Sequence, residues 1–176
     1  MTSTWLLGVG MMSPVGLVAA VAHMLFHAVN KITLFFSCGA VYYKTHKEYV
    51  YELAYIGREM PVTMATFTVT ALSLMGVPPL CGFTSKWLLG TAAMGTGLLI
   101  GWIGAAALII SALLTALYMM SVLFAAYAPP VRHQQVETCD PNWLMKGPLT
   151  VLAVLCIGAS LFAQPLLALV TKLLGV

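Results

Sequence analysis

Two histidines and a lysine recur at four-residue intervals inside one long apolar run: His23, His27 and Lys31. On a helix, side chains four apart share a face, and at about 1.5 Å of rise per residue the three groups span about 12 Å along the axis. Such a column can carry protons. Histidine titrates near neutral pH, and a low dielectric disfavours a charged amine, so a lysine held there can release and regain a proton. A second lysine, Lys86, closes the run Gly82-Phe83-Thr84-Ser85-Lys86, just beyond Gly76-Val77-Pro78-Pro79-Leu80-Cys81. Proline removes a backbone donor and clashes with the preceding turn. Pro78 and Pro79, flanked by Gly76 and Gly82, therefore predict a broken helix. A break exposes unpaired carbonyls and amides together with two half-helix dipole ends, and membrane transporters place ion sites at such points. Lys86 stands where a switchable charge is most effective.

Plainer readings apply to the same residues. A histidine in a membrane helix can simply bond a neighbouring helix, and a lysine can extend its stem toward an interface. Asn30 borders the same face and reads as a helix–helix hydrogen bond. HxxxH spacing can bind zinc, but no third ligand lies in an apolar stretch and no HExxH is present, so no metal site is expected. Ser85 and Lys86, adjacent in sequence, diverge by about 100° on a helix and make a poor dyad. No glycine-rich phosphate loop follows a strand. Cys38, Cys81, Cys139 and Cys156 show no CxxC spacing and read as packing thiols. The chain is thus expected to hold no catalytic centre and no cofactor of its own.

The elements that position these groups follow from composition. The chain is 61% hydrophobic and 7% charged, whereas soluble domains carry about 25% charged residues. Lipid is the solvent that tolerates this. The net charge of +3 comes without a basic run and gives no nucleic-acid signal. Met1 to Trp5 carries no Lys or Arg, so a secretory signal pattern is missing. A bilayer core takes about 20 apolar residues as a helix, and four stretches qualify, at about 14–43, 61–94, 98–128 and 148–174. An apolar stub, Trp5 to Met12, is too short to span. The second stretch is too long for one straight crossing and its two pieces are too short for two, so it reads as one crossing with a break. A broken helix survives in lipid only where protein or a wet cavity satisfies the freed backbone groups. The expected fold is one all-α polytopic membrane domain, 1–176, of about four crossings.

Charge asymmetry sets an orientation. Loop 44–60 holds Lys44, Lys47 and Arg58, and loop 129–146 holds Arg132 and Lys146. With the broken stretch counted once, both loops fall on one side, which the positive-inside rule makes cytoplasmic. The start of the chain and Lys172 then face outward. Trp87, Trp102 and Trp143 are most simply packing or interface anchors.

The residues assembled above resemble a known family. His23-Met-Leu-Phe-His27-Ala-Val-Asn-Lys31-Ile-Thr-Leu-Phe, followed by Gly39-Ala40, is similar to the HxxxHAxxKxxLF…GA helix of antiporter-like subunits. These occur in respiratory complex I, energy-converting membrane hydrogenases and Mrp-type cation/proton antiporters. Gly57-Arg-Glu-Met60-Pro61 and the run from Ala71 through Pro78-Pro79 to Ser85-Lys86 resemble its GxxMP…ALSLxGxPPxxGFxSK block. The match covers about residues 5–125. It implies that His23, His27 and Lys31 belong to a hydrophilic axis at the membrane midplane and that Lys86 is a terminal proton-exchange site. Family members usually have two inverted repeats, and this chain matches only the later part of the second. No acidic residue lies in any of its apolar stretches. A complete path therefore needs another chain or segment supplying the missing N-terminal half, packed against the His23–Lys31 face. Half of a split subunit, a short paralogue and a fragment are the alternatives.

The resemblance implies a subunit of a proton-translocating membrane complex, complex I-like or membrane-hydrogenase-like, in a bacterial or archaeal inner membrane. Its partners would be other membrane subunits and redox subunits with iron–sulfur clusters, and its cargo protons or sodium. A subunit of a cation/proton antiporter is the first alternative. A non-transporting scaffold is the second; it predicts that neutralising Lys31 and Lys86 changes complex yield rather than flux. A zinc enzyme built on His23 and His27 is the third.

Overall fold

A computed structural model of the chain describes residues 13–129 and 139–174, together with Gly10. The rest of the stub at residues 5–12, and Arg132, lie outside these residues. The described residues form helices and turns with no strand: α1 (Pro14–Thr45), a 3-10 turn (Val50–Leu53), α2 (Ile56–Glu59), α3 (Pro61–Met75), α4 (Cys81–Gly95), α5 (Leu99–Tyr127), α6 (Trp143–Leu161) and α7 (Ala163–Leu174). Helices α1, α5 and α6 are each long and apolar enough to cross a membrane. α3 and α4, at 15 residues each, reach only about 22 Å apiece, less than a hydrocarbon core of about 30 Å. Together they make one interrupted crossing.

Helix limits follow local chemistry. Ser13 accepts a hydrogen bond from the Gly16 amide at 3.1 Å, and Pro14 occupies the first helical position, where no N–H is needed. His46, in the left-handed conformation at φ 53°, ends α1 and donates its amide to Tyr42 O at 2.8 Å.

Three buried clusters stack along the bundle and fix its topology. Leu34 and Val41 of α1 meet Met60, Met64 and Phe67 at the start of the broken crossing and Met119 and Leu123 of α5. Ala22 and Phe26 meet Cys81 and Cys156 at mid-height. Ala19, Leu89 and Leu108 close the far end. α3–α4 thus runs antiparallel to α1, and α5 returns. The two loops meet at one end: the Cys139 amide donates to Glu59 O at 2.7 Å, and Lys146 pairs with Asp140 at 3.4 Å.

The outside is apolar, with Leu25, Phe35, Phe36, Ile110, Leu113 and Leu117 all exposed. The inside is richer in small polar side chains, among them Thr33, Ser37, Thr66 and Thr70. Each of these hydroxyls donates to the carbonyl four residues earlier, so none needs water. This inversion is what lipid imposes, since burying apolar surface between helices brings no gain there.

The fourth apolar stretch differs from its expected bounds. α6 begins at Trp143, and Pro148 lies inside it rather than at its start. Lys146, which hydropathy assigned to the loop, belongs to the first turns of the helix because Asp140 neutralises it. The stretch then divides: α6 stops at Leu161 and α7 follows after Phe162.

Candidate functional site

The chain leaves helical geometry at Gly76, where φ is +95°. The amides of Gly76 and Val77 both donate to Leu72 O at 3.1 Å. A left-handed glycine of this kind closes a helix and satisfies terminal carbonyls, and Pro78 and Pro79 then prevent continuation. Helix resumes at Cys81, so Gly82 belongs to the first turn of α4 rather than to the break. Its amide donates to Ser73 Oγ at 3.3 Å, which satisfies one orphan donor of the new N-terminus. A Cβ at Gly82 would run into the Ser73 carbonyl. Glycine here lets the two half-helices touch backbone to backbone.

Lys86 folds back across this junction. Its Nζ donates to Leu74 O at 2.7 Å and to Met75 O at 3.0 Å. These carbonyls belong to the last turn of α3, where the helix dipole leaves partial negative charge. The lysine of the second half-helix is therefore held by the end of the first.

His23 is 6% exposed, and its Nδ1 lies 3.0 Å from Ser85 Oγ. Ser85 also donates to Gly82 O at 3.2 Å. With that hydroxyl proton placed on Gly82, His23 is the donor through Nδ1–H. The His27 ring follows one turn on, its centroid 5.8 Å from that of His23. His23, His27, Asn30, Ser85 and Lys86 line a common cavity of about 20 Å³, closed from α5 by Ser111 and Thr115. That is room for about one water. Lys31, a further turn along α1, is partly exposed and stands outside this lining.

Asn30 is wholly buried and bridges helices, donating to Ser73 Oγ at 3.1 Å and accepting from Cys156 Sγ at 3.1 Å. Ser85, weighed in sequence only as an unsuitable partner for Lys86, is instead the partner of His23. Ser111 and Thr115 escaped sequence reasoning, and the signal was slight: two small hydroxyls four residues apart on a helix that also carries Tyr118, Ser121 and Tyr127. Among the described residues no group of three or more His, Cys, Asp or Glu is placed to hold a metal ion.

A broken membrane helix with a lysine clasped at the break, facing titratable groups on a neighbouring helix, defines a class of ion-translocating membrane subunits. Residues 3–115 match the family described as NADH:quinone oxidoreductase/Mrp antiporter, transmembrane. The chain belongs to this family. It is 39% identical over 121 residues to NADH-quinone oxidoreductase subunit N of Desulforudis audaxviator, a match covering 69% of this chain and 24% of the relative. It is 28% identical over 165 residues to formate hydrogenlyase subunit 3 of Escherichia coli, covering 89% of this chain and 27% of the relative. The fold resembles a chain of the Mrp complex from Dietzia sp. DQ12-45-1b, with a TM-score of 0.83 at 22% identity, over 95% of this chain and 39% of that one. The chain thus spans about a quarter of the length of the curated relatives it matches. It is an integral membrane protein of antiporter-like fold.

Proposed function

We propose that the chain contributes part of a transmembrane proton path to a larger membrane complex, with Lys86 as the exchange site and His23 and His27 as its link to Lys31. The observation that carries this is the shared cavity: Lys86 and both histidines open onto one water-sized space at a helix break. The Leu74 and Met75 carbonyls accept from the lysine whether it carries two protons or three, so the side chain keeps its seat while its charge changes. A water in the cavity can hand the proton to the imidazole. One unit of pKa is worth about 1.4 kcal/mol, and moving one charge through 100 mV takes about 2.3 kcal/mol, so a shift of a few units at Lys86 suffices for a pumping stroke.

Among the described residues no Asp or Glu lies in a membrane-spanning helix. The counter-charge that sets the protonation of Lys31 and Lys86 must come from another membrane segment against the His23–Lys31 face. Redox subunits would supply the driving event in a complex I-like or hydrogenase-like assembly, a reading that the subunit N and formate hydrogenlyase relatives support. A cation/proton antiporter is the second reading, favoured at the level of fold by the Mrp match. A sodium gradient that drives proton movement without any electron donor would select it.

The loop end is assigned to the cytoplasm, from Lys44, Lys47, Arg58 and Lys146. Cys139 is exposed at that end, and a membrane-impermeant maleimide should reach it only from the cytoplasmic face. The central test is Lys86→Ala in the native complex: proton flux should vanish while subunit composition stays intact. Full flux from an intact complex would end the assignment.

A further inference from the structure

Four side chains from four helices form a closed ring beside the break. Asn30 Nδ2 of α1 donates to Ser73 Oγ of α3 at 3.1 Å. Ser73 Oγ lies 3.3 Å from Cys81 Sγ of α4. Cys81 Sγ lies 3.7 Å from Cys156 Sγ of α6, and Cys156 donates to Asn30 Oδ1 at 3.1 Å. Proton counting gives the ring one direction. The Cys156 proton is committed to Asn30, so Cys81 is the donor between the sulfurs. Ser73 accepts from Asn30 and from the Gly82 amide, which leaves its own proton for Cys81. Each of the four groups donates once around the ring. Both cysteines are free thiols and buried, and the ring borders the proton cavity through Asn30.

We infer that Cys81 and Cys156 form a dithiol modification site that closes to a disulfide with a small apolar disulfide oxidant, and that closure fixes the break. The two sulfurs are in contact across 75 residues of sequence, so no rearrangement of the fold is needed to bring them together. Cys81 is the first residue of α4, where the half-helix presents its partial positive end, and it accepts from Ser73. It is the attacking sulfur. Cys81 displaces one thiol from the oxidant and forms a mixed disulfide; Cys156 then attacks the Cys81 sulfur and expels the second thiol. The two cysteines lose two electrons and two protons, and the oxidant leaves as two thiols. The new bond staples α6 to the second half of the broken crossing, where the Ser160 hydroxyl already meets the Pro79 carbonyl. It also removes both S–H donors, so Asn30 Oδ1 loses the donor that fixes its amide at the cavity wall.

The site is independent of the transport assignment, and only its effect on flux rests on that assignment. The test uses the whole complex in native membranes, with Cys38 and Cys139 replaced by serine, and 2,2′-dithiodipyridine as oxidant. The expected result is a Cys81–Cys156 cross-linked peptide on non-reducing mass mapping, a fall in proton flux of tenfold or more, and recovery with dithiothreitol. Cys156→Ser should give only a mixed disulfide at Cys81. Mixed disulfides on both cysteines without a cross-link, or no reaction at the pair while Cys139 of the unsubstituted chain reacts, would overturn the site. A cross-link with undiminished flux would overturn its effect on the break. Absence of flux before treatment would count against the transport assignment alone, because the mapping still decides the site.

Discussion

Lys86 Nζ donates to the Leu74 carbonyl at 2.7 Å, across the interruption between the two half-helices. The carbonyls at the end of a helix lack intrahelical donors and carry the negative end of its dipole. An ammonium on them makes a charge-assisted bond, about twice as strong as a neutral one. The charge on Lys86 therefore sets the strength of the bonds that span the break, while the lysine keeps its seat on both carbonyls.

Gly76 tests that coupling from the backbone side. Its φ of +95° is unfavourable for an L side chain by about 1–2 kcal/mol. A Cβ there would also sit 3.3 Å from Lys86 Cδ. Gly76→Ala should lower the melting temperature of the solubilised complex and slow flux in parallel, because the methyl group displaces the lysine from its carbonyls. An unchanged melt would remove the strain argument, and a lowered melt with full flux would separate the lysine's seat from transport.

Gly82 makes a stronger demand. A Cβ would collide with the Ser73 backbone, which cannot swing aside as a side chain can. Gly82→Ala should therefore force α3 and α4 apart and cost more than the about 1–3 kcal/mol typical of overpacking. Gly90, farther along α4, meets nothing within 4 Å, so Gly90→Ala should be neutral or gain up to about 1 kcal/mol in helix propensity. Thermal unfolding of the two variants side by side decides it. Equal effects would mean that glycine at 82 serves helix flexibility and not close approach.

The break and the histidine column are legible in sequence because each rests on local chemistry. Two adjacent prolines stop a helix, and a four-residue spacing fixes a face. The partners of these groups are not local. Ser85 lies 62 residues from His23, and Cys156 lies 126 residues from Asn30. Nothing in either neighbourhood announces the other. The helix α6 starts at Trp143, ahead of the apolar stretch that begins near Pro148, for a related reason. Hydropathy counted Lys146 against the helix, whereas Asp140 shields its charge and extends the helix past Pro148. The division at Phe162 does carry a mark in the sequence: Pro165, in the first turn of α7, lacks the N–H that would bond the Leu161 carbonyl, and α6 ends at Leu161.

Asp140 holds the loop end together. Its carboxylate accepts from the Val62 amide and from Thr63 Oγ1, both at 3.4 Å, and pairs with Lys146. It thus caps α3 from a loop about 78 residues away. Asp140→Ala should destabilise the complex by about 1 kcal/mol, the usual loss on removing an N-cap. Part of the wild-type stability here is ionic and partly exposed, so salt should lower the melting temperature of the wild type more than that of the variant. The same salt response in both would show that the Lys146 pair contributes nothing.

His23 is where transport and mere helix bonding make opposite forecasts. Glutamine at this position can still reach the Ser85 hydroxyl through its amide, but it cannot take up and release a proton near neutral pH. If His23 only ties α1 to α4, His23→Gln should leave melting and flux close to wild type. If the imidazole passes protons between Lys86 and His27, flux should fall by about a hundredfold, the smaller end of what a positioned acid–base group contributes, while melting stays within a degree or two of wild type. Ser85→Ala supplies the complement. It keeps a titratable imidazole and removes the hydroxyl that fixes its tautomer, so flux should drop less steeply than in His23→Gln and its pH profile should shift. Proton uptake by the reconstituted complex, read against pH for both variants, separates the two roles: a flat profile in Ser85→Ala with full flux in His23→Gln would leave His23 as a structural bond alone.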